Sequence, residues 1–85
     1  MSKQLLRSGT SIGANTEEAL QAQSRKDFIA KLSIALKEAF ETNYWLRLIK
    51  DSDTCISHEL DDCLALSREV IALLTAILKK TRQNI

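Results

Sequence analysis

The stretch that decides the fold is QLLRSGTSIGANTEEA, residues 4–19. In it, Leu5, Ile12 and Thr16 are separated by seven and four residues, and Ala19 follows three residues later. An α-helix has about 3.6 residues per turn, so these spacings place the four side chains on one side of a helix. A half-buried strand would instead alternate at every second residue. The stretch therefore predicts a first helix that packs one side against a neighbour.

Two glycines, Gly9 and Gly13, lie beside this apolar row, and they are the only glycines of the chain. A glycine inside a helix costs about 1 kcal/mol relative to alanine. They do not form the G-x-G-x-x-G or Walker pattern that would indicate a phosphate-binding loop. We therefore predict that a neighbouring helix approaches the first helix closely at this point.

The composition favours a single all-α domain over residues 1–85. Hydrophobic residues make up 45% of the chain and charged residues 27%, and proline is absent. So few turn-forming residues argue against a domain of many short strands. Ser24, followed three residues later by Asp27, predicts a helix start, and Ser57 predicts another. The predicted helices cover residues 2–22, 25–50 and 57–82, and their short connections predict an up-and-down bundle.

The second and third helices are apolar over wider arcs than one contact requires. The second helix has a main apolar row of Phe28, Ile29, Leu32, Ala35, Leu36, Ala39, Phe40 and Leu46. Ile34, Trp45 and Leu48 project from a different face and are the candidate oligomer interface. The third helix has a seam with alternating four–three spacing, formed by Ile56, Leu60, Cys63, Ser67, Val70, Leu74 and Ile77. This seam predicts that Cys63 is a buried core residue. The excess apolar surface requires a further helix, either from a longer parent chain or from another subunit, and we predict that the chain self-associates.

The sequence predicts no catalytic, cofactor-binding or metal-ligating residue. His58 is the only histidine, and a surface position is predicted for it. Cys55 and Cys63 are predicted to be free thiols, and their spacing with His58 matches no zinc site. We therefore expect a protein that is not an enzyme, with no cofactor and no small-molecule substrate. The chain shows no signal peptide or membrane-length apolar run, so the expected location is cytoplasmic, away from the membrane.

A polar row runs beside the apolar side of the first helix. It consists of residues spaced by three or four: Gln4, Arg7, Ser11, Asn15 and Glu18. Such a row can bond across to another helix and fix its register, which is the favoured interpretation. Alternatively, Arg7 and Asn15 can present donors to a phosphate.

Nucleic-acid binding is the alternative to protein–protein assembly. The net charge is only +1, which implies no general attraction to phosphate. The candidate nucleic-acid or partner contacts are Arg7, Asn15, Arg25, Lys26, Lys31 and Arg47. Tyr44 and Trp45 could stack on bases, but an interface role is favoured for them.

The chain resembles the family of four-helix-bundle proteins named after the 23S rRNA intervening sequence. The resemblance rests on Arg7, Ser11-Ile12, Asn15, Glu18, Asp27-Phe28, Ser33-Ile34-Ala35-Leu36, Glu38 and Glu41-Thr42-Asn43-Tyr44-Trp45-Leu46. In this family an arginine often stands in place of Asn43. Members usually carry one more helix before this tract, so the three predicted helices correspond to the last three of a four-helix bundle.

The resemblance implies a homo-oligomer, a pentamer in some members, and no catalytic residues. It also implies a relation in fold to accessory proteins of retroelements, which act with a reverse transcriptase and nucleic acid. We therefore expect a non-enzymatic helical assembly protein. The alternative is an RNA- or DNA-binding accessory protein that acts with a ribonucleoprotein or a reverse transcriptase.

Overall fold

The computed structural model describes the backbone of residues 2–51 and 58–83, and the side chains of residues 3–51 and 60–83. These residues form three helices: α1 (Ser2–Leu20), α2 (Arg25–Asp51) and α3 (His58–Gln83). No strand is present in these ranges, so the predicted all-α class with three helices is confirmed. α1 ends two residues earlier than predicted, while the predicted N-cap Ser57 lies outside the described residues.

The link between α1 and α2 is a tight turn closed by backbone and side-chain hydrogen bonds. The amides of Gln21 and Ala22 donate to the carbonyl oxygens of Glu18 and Ala19, at 3.2 and 3.1 Å. At the start of α2, the amide of Asp27 donates to Oγ of Ser24 at 3.1 Å. This bond satisfies one of the amides that a helix start leaves unpaired, as the Ser24–Asp27 spacing predicts. So short a link makes α1 and α2 antiparallel neighbours.

Two ion pairs fix the register between α1 and α2. Arg7 Nη2 lies 2.9 Å from Glu41 Oε1. Lys31 Nζ lies 3.8 Å from Glu18 Oε2. From the first pair to the second, the residue number rises in α1 and falls in α2. The two helices are therefore antiparallel, and they lie side by side along most of α1.

Three polar contacts fix the register between α2 and α3 in the same way. Asn43 Nδ2 donates to Ser67 Oγ at 2.9 Å. Lys50 Nζ lies 2.9 Å from Asp61 Oδ1. Near the other end of α3, Arg82 Nη2 donates to the hydroxyl of Ser33 at 3.3 Å. The described helices therefore run up, down and up.

The hydrophobic core lies in one half of the bundle, around the first part of α2; we call this the core half. Its buried cluster consists of Ala19, Leu32, Ala35, Ala39, Leu74 and Leu78. Partly buried residues that include Ile12, Phe28 and Val70 pack against the cluster. The other half, around the second part of α2, is the cleft half, and its buried residues include the two serines Ser8 and Ser67.

α2 is the central helix: in the described residues, α1 and α3 both pack closely on α2 and not on each other. The Cα atoms span 46 × 22 × 15 Å, with a radius of gyration of 14.2 Å. A compact domain of this length would have a radius of gyration of about 12 Å. α1 and α3 thus flank α2, and the described residues leave an open corner between α1 and α3.

Candidate functional site

The open corner forms an apolar cleft of about 300 Å³ between α1 and α3, with α2 as its floor. The cleft is lined by Leu5, Gly9, Ile12, Ala39, Thr42, Leu46, Cys63, Leu66, Ser67 and Val70. Only Thr42 and Ser67 contribute side-chain hydroxyls, and both hydroxyls donate to carbonyl oxygens of their own helices. The cleft is therefore suited to packing against apolar groups.

Gly9 and Gly13 lie on the cleft side of α1, and both are exposed. A Cβ atom added to either glycine would meet no atom within 4 Å among its described surroundings. The closely packed neighbour predicted for these glycines is therefore not one of the described helices of the chain. The glycines instead leave a stretch of the α1 backbone open beside the cleft.

Leucines with large exposed fractions lie on both helices that flank the cleft, and one of them, Leu66, lines the cleft itself. Leu6 and Leu20 on α1 are 73% and 74% exposed, and Leu66 and Leu73 on α3 are 60% and 61% exposed. Cys63, which lines the same cleft, is an exposed free thiol, so the prediction that it is buried is wrong. The buried residues of α3 are Leu64, Ser67, Leu74 and Leu78. Only part of the predicted seam is therefore buried, and Cys63 lies toward the open corner.

A second apolar surface lies on the side of α2 opposite the cleft. This outer face of α2 consists of Ile34, Phe40, Tyr44 and Leu48, which are between 37% and 54% exposed. Phe40 was expected in the row that faces the core, and that prediction is wrong. It lies only one residue beyond the buried Ala39, and one step along a helix turns a side chain by about 100°.

Trp45 differs from Ile34 and Leu48, the other two residues of the predicted interface. It is partly buried, and its ring lies edge-on to Tyr44 with 5.3 Å between the ring centroids. Its indole Nε1 is buried and has no hydrogen-bond partner among the described residues. Ile34 and Leu48 thus lie on the exposed outer face, while Trp45 lies at its edge.

The polar row of α1 fixes this helix against α2, as the favoured interpretation predicts. Arg7 and Glu18 form the two ion pairs with α2 described above. Asn15 Nδ2 donates to the carbonyl oxygen of Ser11 at 2.9 Å and to its hydroxyl at 3.2 Å. Asn15 therefore bonds within α1. Gln4 is exposed.

Three of the basic residues predicted as nucleic-acid contacts bond to other side chains, and two others lie far from Arg47 along α2. Arg7 and Lys31 are paired with carboxylates. Arg47 Nε donates to Asn43 Oδ1 at 2.9 Å. Arg25 and Lys26 lie at the opposite end of α2, about 33 Å from Arg47 along the helix axis at 1.5 Å per residue.

A polar network between α2 and α3 was not predicted from the sequence. Ser67 Oγ accepts a hydrogen bond from Asn43 Nδ2 and donates one to the carbonyl oxygen of Leu64 at 2.8 Å. Arg47 in turn donates to Asn43. The sequence does contain one signal for this network, which is the position of Ser67 in a seam of apolar residues. A buried hydroxyl needs a hydrogen-bond partner, so its position indicates a polar contact with another helix.

The described residues show no arrangement suited to metal binding. No group of three or more His, Cys, Asp and Glu residues lies close enough to hold an ion in this part of the chain. The predictions for Cys55 and for the side chain of His58 fall outside the described residues. Of the three helices described, none has both the length and the apolarity needed to span a bilayer.

The fold and its surfaces define the class of protein: an antiparallel all-α bundle with an open, apolar corner. The chain belongs to the family of 23S rRNA-intervening sequence proteins, which it matches over residues 1–76. The predicted family is therefore confirmed.

A solved structure supports the same assignment. The chain is similar to a protein of unknown function from the S23 ribosomal protein family of Bacteroides thetaiotaomicron VPI-5482, whose crystal structure is known at 1.70 Å. The two share 56% sequence identity and a TM-score of 0.88, over 93% of this chain and 73% of that chain. No curated protein matches this chain.

Proposed function

We propose that the chain is a non-enzymatic assembly protein that associates with further copies of itself. The observation that carries this proposal is the presence of two separate apolar surfaces on one three-helix unit. One is the cleft between α1 and α3, and the other is the outer face of α2. Monomeric soluble proteins rarely expose large contiguous apolar patches, and those that are exposed commonly mark interaction sites.

The magnitude of the hydrophobic effect supports association through these surfaces. Fully burying one leucine or isoleucine side chain stabilises a complex by about 1.5–3 kcal/mol relative to leaving it exposed. Four large exposed apolar side chains lie on the two helices that flank the cleft, and four more form the outer face. Burial of either set of side chains in an interface offsets a substantial part of the free-energy cost of the entropy lost on association.

The chemistry of the cleft supports a structural role. Its lining is aliphatic apart from a thiol and two hydroxyls, and both hydroxyls bond to carbonyl oxygens of their own helices. Charged residues outside the lining pair across helices, as in Arg7–Glu41 and Lys50–Asp61. Such groups fix the register of helices and leave the apolar lining to contact a partner.

Light scattering coupled to size-exclusion chromatography tests the proposal. At micromolar concentration, we expect a mass that is a multiple of the 9.6 kDa of one chain. The family resemblance makes a pentamer one of the expected multiples. A mass of 9.6 kDa over the whole micromolar range would contradict the proposal.

A binding measurement separates assembly from the nucleic-acid alternative. We expect neither RNA nor DNA to bind appreciably at about 50 mM or about 200 mM salt, since phosphate affinity grows with the number of basic contacts. Binding that is strong at the lower concentration and falls steeply at the higher one would favour the nucleic-acid accessory role instead.

A further inference from the structure

We propose that a second pocket, between α2 and the last turns of α3, binds a medium-chain alkyl carboxylate. In this site Lys79 and Arg82 bind the carboxylate group, and Leu36 and Leu78 contact the alkyl chain. The pocket shares no residue with the two surfaces proposed for self-association, so this binding is independent of the proposed function. The ligand is expected to bind without reacting.

The pocket is separate from the cleft. Its volume is about 350 Å³, and its lining consists of Leu36, Thr75, Leu78, Lys79, Arg82 and Gln83. Thr75 lies five residues after Val70, which lines the cleft, and five residues turn a helix by about 140°. The two openings are therefore on different sides of α3. Sites for small ligands commonly have volumes of about 300–1,000 Å³, so a small molecule fits this pocket.

The floor of the pocket is apolar and is held in place by the core. Leu78 is 2% exposed and belongs to the buried cluster of the core half. Leu36 is partly buried and packs against the same cluster. Because the core fixes both side chains, the apolar wall is already formed before a ligand binds. Such a wall favours an alkyl group over a small hydrated ion, which would leave it uncovered.

The rim of the pocket carries hydrogen-bond donors and no carboxylate. The four polar residues of the lining all have donor groups, and they are Thr75, Lys79, Arg82 and Gln83. Lys79 and Arg82 are three residues apart, so their Cβ atoms lie about 5–6 Å from each other on one side of α3. Both cations can therefore contact a single carboxylate group. Hydrogen bonds between such charged groups are stronger than those between neutral groups.

The positive charge at the rim is not neutralised within the described residues. The ion pairs there involve neither Lys79 nor Arg82. Arg82 Nη2 donates instead to the hydroxyl of Ser33 at 3.3 Å, a neutral partner that holds the guanidinium group over α2. No acidic residue follows Glu69 in the sequence. The carbonyl end of α3 contributes only about half a negative charge, which two full cations exceed.

Cations at the end of a helix also complement the helix dipole, and Lys80 separates this effect from ligand binding. Lys80 lies in the same turn as Lys79 but about 100° away around the helix, and it does not line the pocket. The dipole therefore explains Lys80 and Lys79 equally well. It does not explain why Lys79 and Arg82 share one side of α3 with an apolar pocket between them and α2.

Calorimetric titration of the full chain with octanoate tests the two cations. Lys79→Gln and Arg82→Gln should each raise the dissociation constant by at least about fivefold, because each variant removes a charge-assisted hydrogen bond. All three basic positions are exposed, so the fold should be retained. Lys80→Gln makes the same change in net charge and should alter the dissociation constant by less than about twofold. Equal weakening in the three variants would show attraction to overall charge and would overturn the site.

A comparison of ligands tests the chemical class. Acetate has the charge without the chain and octanol has the chain without the charge, so each should bind at least about tenfold more weakly than octanoate. Inorganic phosphate that binds as tightly as octanoate would overturn the proposed class in favour of a phosphate site. The absence of binding at millimolar octanoate would overturn the site itself.

Nuclear magnetic resonance of the same titration tests the location. Octanoate should shift the amide resonances of Thr75 and Leu78, and leave those of Cys63 and Leu66 in the cleft unchanged. Shifts confined to the cleft residues would place the ligand there and contradict this inference. A monomeric chain that binds octanoate in the pocket would contradict the proposed function alone, whereas an oligomer that does not bind it would contradict this inference alone.

Discussion

The core half and the cleft half of the bundle are built from the same three helices but differ in what fills the space between them. In the core half, leucines from α2 and α3 meet a small residue of α1, Ala19, and the contact is closed. In the cleft half, α1 contributes the fully buried Ser8 and the exposed Gly9, and α3 contributes Ser67. Leu46 and Leu64 are buried there as well, but the small and hydroxyl-bearing side chains leave the space between α1 and α3 unfilled, so this half keeps an open apolar surface. One half of the bundle is thus closely packed, and the other carries the open surface through which we propose association.

Leu74→Ala should have the largest effect on stability, because Leu74 is buried in the core half. Removing its side chain leaves a cavity in a packed cluster, so the free energy of unfolding should fall by about 2–5 kcal/mol in urea titrations. The adjacent Leu73 is largely exposed and gives a matched control. Leu73→Ala should cost less than about 1 kcal/mol at concentrations where the chain is monomeric. Equal losses from the two variants would show that the two halves are not distinct.

Ser67→Ala should have the next largest effect, and it tests what holds the cleft half together. The variant removes the acceptor for Asn43 Nδ2, a partly buried donor. Leaving such a donor unpaired should lower the free energy of unfolding by about 1–3 kcal/mol. A double-mutant cycle with Asn43→Ala isolates the bond itself, for which a coupling energy of about 1 kcal/mol is expected. A coupling near zero would mean that this hydrogen bond does not help to join α2 and α3 in this half.

Gly13→Ala should raise stability, which is the reverse of the usual effect in a packed seam. Nothing lies within 4 Å of an added Cβ, so the alanine is accommodated and the helix gains up to about 1 kcal/mol. Ala14→Gly, at the neighbouring exposed position, should lower stability by a similar amount. Both are measured by thermal unfolding at concentrations where the chain is monomeric. A loss of stability in Gly13→Ala would show that the glycine side of α1 is already packed within one copy.

The helices were predictable from the sequence because their signals are local. The seven–four–three spacing around Ile12 and the cap at Ser24 each depend on neighbours within a few residues. The excess of apolar surface was also predictable, since it follows from the width of the apolar arcs.

The rotation of each helix was not predictable, and the errors at Cys63 and Phe40 follow from that. Where an apolar arc is wide, adjacent rows fit the same spacing, and only the position of the neighbouring helix decides which row is buried. For the same reason the cleft could not be located, because it depends on how far apart α1 and α3 lie on α2. The Asn43–Ser67 bond joins residues 24 apart on different helices, so no local pattern reports it.

Arg7→Ala should have the smallest effect, although the Arg7–Glu41 pair bridges α1 and α2 in the cleft half. The Arg7 side chain is 62% exposed and that of Glu41 is 32% exposed, so water screens the pair. Exposed pairs of this kind contribute about 0–1 kcal/mol, and salt reduces the contribution further. Lys31→Ala, which breaks the corresponding pair with Glu18 in the core half, is the matched control and should change stability equally little. The contrary result would be that Arg7→Ala lowers the free energy of unfolding by several kcal/mol while Lys31→Ala lowers it little. That result would show that the Arg7–Glu41 ion pair, and not packing, holds α1 beside the cleft.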